Sequence, residues 1–259
     1  MQIENKVKAR ISFLIFFVTC FLPDSSSQKK DFEVPDYDGE KMYYVARIGF
    51  INVGKGTISF MSDSLECGSF IKGETKSSGF ARIIHRVHYI FECCMEPNTG
   101  LPNKSTRYIS EGNHHSYNQV TFDRHTRSDS CIVNSDITGI MVTRKNIYDI
   151  VTGYYHFRKN FLKQDMIIGQ EVVIKTFFAD EEFDLRIRYA GKETITTRFG
   201  KMKCLKFNPI TEVGRYFATE NDMSVWITDD ELLIPVRIQF NLTVGNLRGD
   251  LVRYEAPKQ

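Results

Sequence analysis

The sequence lacks the signals by which most function classes announce themselves. Charge of one sign is missing: Lys plus Arg count 34 and Asp plus Glu 32. The basic footprint of a nucleic-acid binder is therefore absent, and no nucleic-acid partner is expected. No G-x-S-x-G nucleophile elbow occurs, so that serine-hydrolase arrangement is excluded. No P-loop is present. Gly54-Lys55-Gly56 lies in strand-like sequence with no helix after it to hold a phosphate, so it reads as a bulge or a close backbone approach. Asp180-Glu181-Glu182 and Asp229-Asp230-Glu231 lack calcium-loop spacing and read as solvated turns. No cofactor is expected.

Long apolar runs are also scarce. The one near the start, residues 11–22 (ISFLIFFVTCFL), falls short of the roughly 20 residues a membrane-spanning helix needs. Lys6, Lys8 and Arg10 precede it, Pro23 breaks it, and Ser25-Ser26-Ser27 follows. That is the layout of a secretory signal peptide over residues 1–27. A buried core helix fits less well, because the run is terminal, flanked by cations and broken by proline. Thr19 before Cys20 departs from the lipoprotein pattern, so cleavage near Gln28 without acylation is expected. No membrane span remains after cleavage. Residues 28–39 are polar and read as a flexible leader, and residues 40–259 as one domain.

Cysteine is sparse for a disulfide scaffold. Cys67, Cys93, Cys94, Cys131 and Cys204 remain after cleavage. An odd number cannot all pair internally, and their spacing fits no zinc site. Buried thiols with at most one bridge are expected.

What is abundant is aromatic and alternating. Twenty Phe and twelve Tyr favour pleated surfaces. Val236, Ile238, Phe240, Leu242 and Val244 alternate with polar residues, as do Leu185, Ile187 and Tyr189. Ile83, Val87, Tyr89, Phe91 and Met95 share one parity, opposite Arg82, Arg86, Glu92 and Glu96. This period of two marks strands with one buried face. Turns at residues 97–100, 190–192 and 199–201 suggest an antiparallel meander of about ten strands. Residues 146–162 break the pattern: Ile147, Ile150, Val151, Tyr154 and Phe161 recur at helical spacing, with Asn146 or Thr143 as the N-cap. The fold class is thus mostly β: a large antiparallel curved sheet or partly closed barrel, with one principal α-helix packed on its concave face. A two-sheet sandwich is the alternative. Trp226 is expected in the core of a strand covered on both sides.

Five stretches, taken in order, carry a family resemblance. They are residues 48–56 (IGFINVGKG), the turn at 97–102 (PNTGLP), the helix after Tyr148-Asp149-Ile150, the strand from Gly200-Lys201 to Cys204-Leu205-Lys206-Phe207, and Val225-Trp226-Ile227-Thr228-Asp229-Asp230 with Ile234-Pro235-Val236. Together they resemble domain-of-unknown-function family 3108 over most of residues 40–255. The resemblance implies an exported envelope protein of Gram-negative bacteria, in the periplasm or associated with the outer membrane. It supplies no catalytic residues. Its layout is similar to the half-barrel of periplasmic lipoprotein carriers, a likeness of fold, which does not give function.

The function expected is non-catalytic: binding an apolar or amphipathic ligand, such as a lipid, in the curved sheet, or contacting an envelope protein partner. A hydrolase or metal-dependent enzyme using the histidines is the alternative. On a strand His85 and His88 would point to opposite faces, which weakens a shared metal. A turn centred near Thr99 and Gly100 would set Phe91 opposite Tyr108 and His85 opposite His114. The expected inner face then carries His85, Tyr89, Phe91, Tyr108, Ser110, His114 and Asn118. Polar groups there need partners: each other, water, a ligand head-group or a metal.

Overall fold

Alternation of apolar and polar residues builds one sheet. The structure, a computed structural model, describes residues 37–64, 67–160, 166–210, 219, 222–242 and 245–258. The signal peptide and most of the leader expected from the sequence lie outside these residues. Within the unit Glu33–Gln259, the elements run β1 (Lys41–Ile48), β2 (Ile51–Ser64), β3 (Gly68–Ser77), α1 (Ala81–Ile84), β4 (Val87–Met95), β5 (Pro102–Glu111), β6 (His114–Asp123), β7 (Ser130–Ser135) and β8 (Gly139–Arg144). After these come α2 (Ile150–Asn160), β9 (Glu171–Phe178), β10 (Glu181–Thr197), β11 (Gly200–Pro209), β12 (Met223–Thr228), β13 (Pro235–Leu242) and β14 (Gly245–Glu255).

Among the described residues, fourteen strands form one sheet in the order β8-β7-β6-β5-β4-β3-β2-β1-β14-β13-β12-β11-β10-β9. Every neighbouring pair is antiparallel, including β1 with β14. The count exceeds the ten or so strands expected. The two edges, β8 and β9, are consecutive in the chain and are joined through α2. The sheet curls until its edges approach but does not close by a ladder. Tyr148 bridges the seam through its backbone: the Tyr148 N–H donates to the Lys175 carbonyl (2.9 Å), and the Phe177 N–H to the Tyr148 carbonyl (2.7 Å). Phe122 of β6 meets Phe177 of β9 edge-on at 6.3 Å.

The helix starts later than the apolar stripe suggested. Ile147 is fully buried but precedes it. The cap is Asp149, not Asn146 or Thr143. Its Oδ1 accepts from the Thr152 N–H at 2.7 Å, and the Asp149 N–H donates back to Thr152 Oγ1 at 3.1 Å. This reciprocal pair satisfies donors at the helix start that would otherwise be orphaned inside the protein. Phe161 lies outside the described residues. The helix runs inside the curved sheet. Gly153 faces β9: a Cβ there would make ordinary contact with Thr176 at 3.5 Å and Ile174 at 3.7 Å. Phe157 packs edge-on against Phe207 at 5.1 Å, and Tyr155 against Phe60 at 5.2 Å.

Arg158, near the helix C-terminus, forms a two-pronged pair with Glu40 at 2.7 and 2.8 Å. The pair plugs one end of the curl. Tyr37 stacks beneath the guanidinium at 4.5 Å, and the Gly39 N–H donates to the Phe60 carbonyl. Residues 37–39, expected in the leader, are thus packed parts of the domain. Trp226 is buried, as its strand pattern suggested: its Nε1–H donates to Glu193 at 3.0 Å, and the Lys206 ammonium lies 4.9 Å from the ring centroid.

Candidate functional site

Inward positions across β1–β4 and β13–β14 are unusually small. Register places Ala46, Gly56, Gly73 and Gly249 on the inner face, with Tyr44, Ile58, Phe91 and Ile238 beside them. A Cβ added at Gly56 would meet nothing closer than 3.5 Å; at Gly73 and Gly249 the nearest atom is at 3.9 Å. None of these three glycines has a positive φ, so the backbone does not require glycine there. Their common effect is missing volume. Above the N-terminal half of α2 they leave a cavity of about 370 Å³. Ile150, Val151 and Tyr154 of the helix line it, facing Phe91, Phe240 and Leu247 of the wall. The lining is mainly apolar. Small-molecule sites are concave, mostly apolar and on the order of 300–1,000 Å³.

A smaller recess of mixed lining adjoins the cavity through Phe91 and Ile150, which line both. Its volume is about 30 Å³, room for a water and little more. The β9–β10 turn enters here. Ala179 and Asp180 both take positive φ, 54° and 69°, and the turn aims Asp180 inward. Asp180 accepts from Arg107 at 3.0 Å, Asn118 at 2.6 Å and Ser135 at 2.6 Å. Asp180, read from the sequence as a solvated turn residue, is instead a largely enclosed carboxylate that ties one lip of the seam to β5, β6 and β7.

The expected inner residues separate into two groups. Tyr89, Phe91, His114 and Asn118 take inward positions. Tyr108 and Ser110 take the opposite face, because Phe91 pairs with Arg107 and Ile90 with Tyr108. The register differs by one residue from a turn centred at Thr99 and Gly100, and a bulge sits between Cys94 and Met95. A shift of one residue flips a whole strand's side chains. Arg107 therefore occupies the inner place expected for Tyr108. The outward Tyr108 ring instead meets His88 at 5.8 Å.

His85 does not lie within β4. It follows α1, half-exposed, with its Nε2 2.8 Å from Glu111 Oε1. Tyr89 donates its hydroxyl to Glu111 Oε2 at 2.7 Å, and Glu111 pairs in register with His114. The hydrogen bonds from His85 and Tyr89 hold the Glu111 carboxyl below its usual range. His88 Nε2 lies 2.8 Å from Glu74. Among the described residues, neither His85 nor His88 is hydrogen-bonded to a serine, threonine or cysteine that it could activate. Among the described residues no three His, Cys, Asp or Glu side chains converge as a metal site would require.

The glycines were the legible signal that sequence reasoning did not exploit. Gly56 and Gly73 sit in alternating strands at the apolar parity, where a side chain is expected. Arg107 and Asp180 had no local signal, since their contact spans 73 residues.

A family described as "Protein of unknown function (DUF3108)" matches residues 41–252. The chain belongs to this family. No curated protein matches the sequence. Among solved structures, the DUF3108 chain is similar to a β-barrel-like protein of domain of unknown function DUF1849 from Brucella abortus. The TM-score is 0.57 at 8% identity, over 86% of this chain and 99% of that one. A DUF1089-family protein from Pseudomonas aeruginosa matches with a TM-score of 0.40 at 8% identity, over 71% of this chain and 88% of that one. The first likeness is one of fold: DUF3108 shares a barrel-like β architecture with DUF1849. Neither assigns an activity.

Proposed function

We propose that this DUF3108 protein is a non-catalytic envelope protein that holds an apolar or amphipathic molecule, a lipid or one of similar chemistry, inside its curled sheet. The observation that carries this reading is the apolar cavity above α2, kept open by Gly56, Gly73, Gly249 and Ala46. A well-packed interior avoids voids of this size, because each lost contact costs dispersion and transfer energy. An apolar chamber does not hold ordered water well, so an apolar guest is its natural occupant. Two features support an exported location: the cationic, apolar and serine-rich order of residues 1–27, and the disulfide Cys67–Cys94, which suits an oxidising compartment.

The test is to recover the protein from bacterial cells, extract it with organic solvent, and identify lipids by mass spectrometry. Co-purifying lipid in the parent is expected, and its loss in the Gly73→Leu and Gly249→Leu variants. Equal lipid content in folded parent and variants would overturn the assignment.

A further inference from the structure

One end of the sheet, opposite the Glu40–Arg158 plug, is ringed by apolar side chains that none of the described residues covers. β1 and β3 end there, and β2, β4 and β14 begin there. The β1–β2 turn presents Phe50, 94% exposed, between Ile48 and Ile51, both about half exposed. The β3–β4 connection presents Phe80, Ile83 and Ile84, exposed at 69%, 80% and 71%. The two loops are neighbours: the Ser78 N–H donates to the Val53 carbonyl at 2.9 Å, and Gly79 approaches the Asn52 carbonyl. Single exposed apolar residues are ordinary; six on two adjoining loops are a contiguous patch that marks an interaction surface.

The patch continues into the cavity. Ile48 pairs in register with Leu247, which lines the cavity, and stands two residues beyond Ala46 on the same inward parity. Three cations flank the patch. Lys55, Arg82 and Arg86 are exposed, and none forms an ion pair with a described residue. The nearby carboxylates are already engaged: Glu111 by His85, Glu74 by Lys76 and His88. The outer wall, by contrast, carries ion pairs such as Lys72–Glu92 and Arg186–Glu171, so it is unsuited to contact hydrocarbon.

We infer that this rim docks on the surface of an anionic phospholipid bilayer, with Phe50, Phe80, Ile83 and Ile84 inserted among the acyl chains and Lys55, Arg82 and Arg86 at the head-groups. The inference rests on the reading of the cavity as a lipid site, for which it supplies the route of exchange. Apolar side chains projecting from loop tips, with unpaired cations beside them, match the two terms of interfacial binding: buried apolar area and attraction to anionic lipid. A protein partner would have to supply complementary carboxylates and a preformed apolar socket.

The experiment places a reporter at the rim of the full chain. Phe50→Trp and Ile83→Trp variants are mixed with phosphatidylcholine vesicles, with and without phosphatidylglycerol, whose acyl chains are brominated. Phe199→Trp, in the β10–β11 turn at the other end, is the control. Trp226 is buried and supplies a constant background. Most of the added emission should be quenched in the two rim variants on anionic vesicles, with weaker quenching on zwitterionic vesicles and none in the Phe199→Trp control. No quenching at the rim, or equal quenching at both ends, would overturn the inference; equal quenching on both vesicle types would overturn the role of the cations. In a Gly73→Leu background the rim quenching should persist, so that failure of the cavity reading and failure of docking are read separately.

Discussion

Glu40 and Arg158 are almost wholly buried, and each has several partners. Glu40 accepts from Tyr254 at 2.9 Å as well as from Arg158, and the Arg158 Nε–H donates to the Leu232 carbonyl at 3.1 Å. Removing one member strands the other charge in a medium that cannot solvate it. Arg158→Met should destabilise the protein by about 3–5 kcal/mol, read as a lowered urea midpoint at unchanged slope. The Glu40→Leu/Arg158→Met double variant should recover much of that loss, since an apolar pair leaves no orphaned charge. A single variant with the parent's midpoint would contradict this account of the plug. Asp149 tests burial in another way. Burial raises its carboxyl above the usual range, against the hydrogen bonds from Thr152. The folded protein therefore binds that proton more tightly than the unfolded chain. This contribution is fully present below the usual carboxylate range and is lost as pH rises through the raised folded value. Asn at this position caps without titrating. The stability of Asp149→Asn relative to the parent should therefore rise from acid toward neutral pH; a constant difference across that range would contradict the burial. Burial likewise pushes up the thiols of Cys93, Cys131 and, to about 11, Cys204. All three should resist iodoacetamide at neutral pH until the protein is unfolded, as peptide mass spectrometry would show.

Turns and seams decide the arrangement of elements. The Cys67–Cys94 bridge ties the β2–β3 turn to β4 across 27 residues. Replacing both cysteines with serine should cost about 3–4 kcal/mol through the freed unfolded chain, and an unchanged thermal midpoint would contradict the bridge. The Ala179–Asp180 turn is the second tie. Asp180→Ala leaves Arg107 and Asn118 without their acceptor and should cost about 1.5–3 kcal/mol. Amide exchange at Tyr148 and Phe177, which span the seam, should accelerate in that variant. The strands were legible because period-two alternation is a local property, visible at Val236–Phe240 and at Val87–Met95. The register of β4 with β5 was not. The Cys94–Met95 bulge leaves no mark in the apolar pattern, and so Tyr108 was placed where Arg107 stands. The helix was legible from its stripe, but its start was not. Ile147 belongs to the stripe by spacing, yet packs with Val120, Phe122 and Phe177 before the helix begins. Asp180 was illegible for another reason: an acidic turn looks alike whether it points to solvent or to an arginine in a distant strand.

At the scale of the molecule, the strand order follows the chain outward from the β1–β14 junction to two edges that meet at one seam. The helix joining those edges has one way to run, back through the interior. Its C-terminal end packs at Glu40, and a cavity of about 370 Å³ is left above its N-terminal half. The cavity is thus a consequence of topology together with small inward residues, and it opens toward the apolar rim. The most direct test of the cavity as a ligand site is equilibrium titration with a fluorescent long-chain fatty acid, comparing the parent with Gly73→Leu. The account predicts saturable binding of one probe per chain in the parent, weakened at least about tenfold, or 1.4 kcal/mol, in the variant, with the fold intact by circular dichroism. Equal affinity in the two proteins, or no saturable binding in the parent, would contradict it.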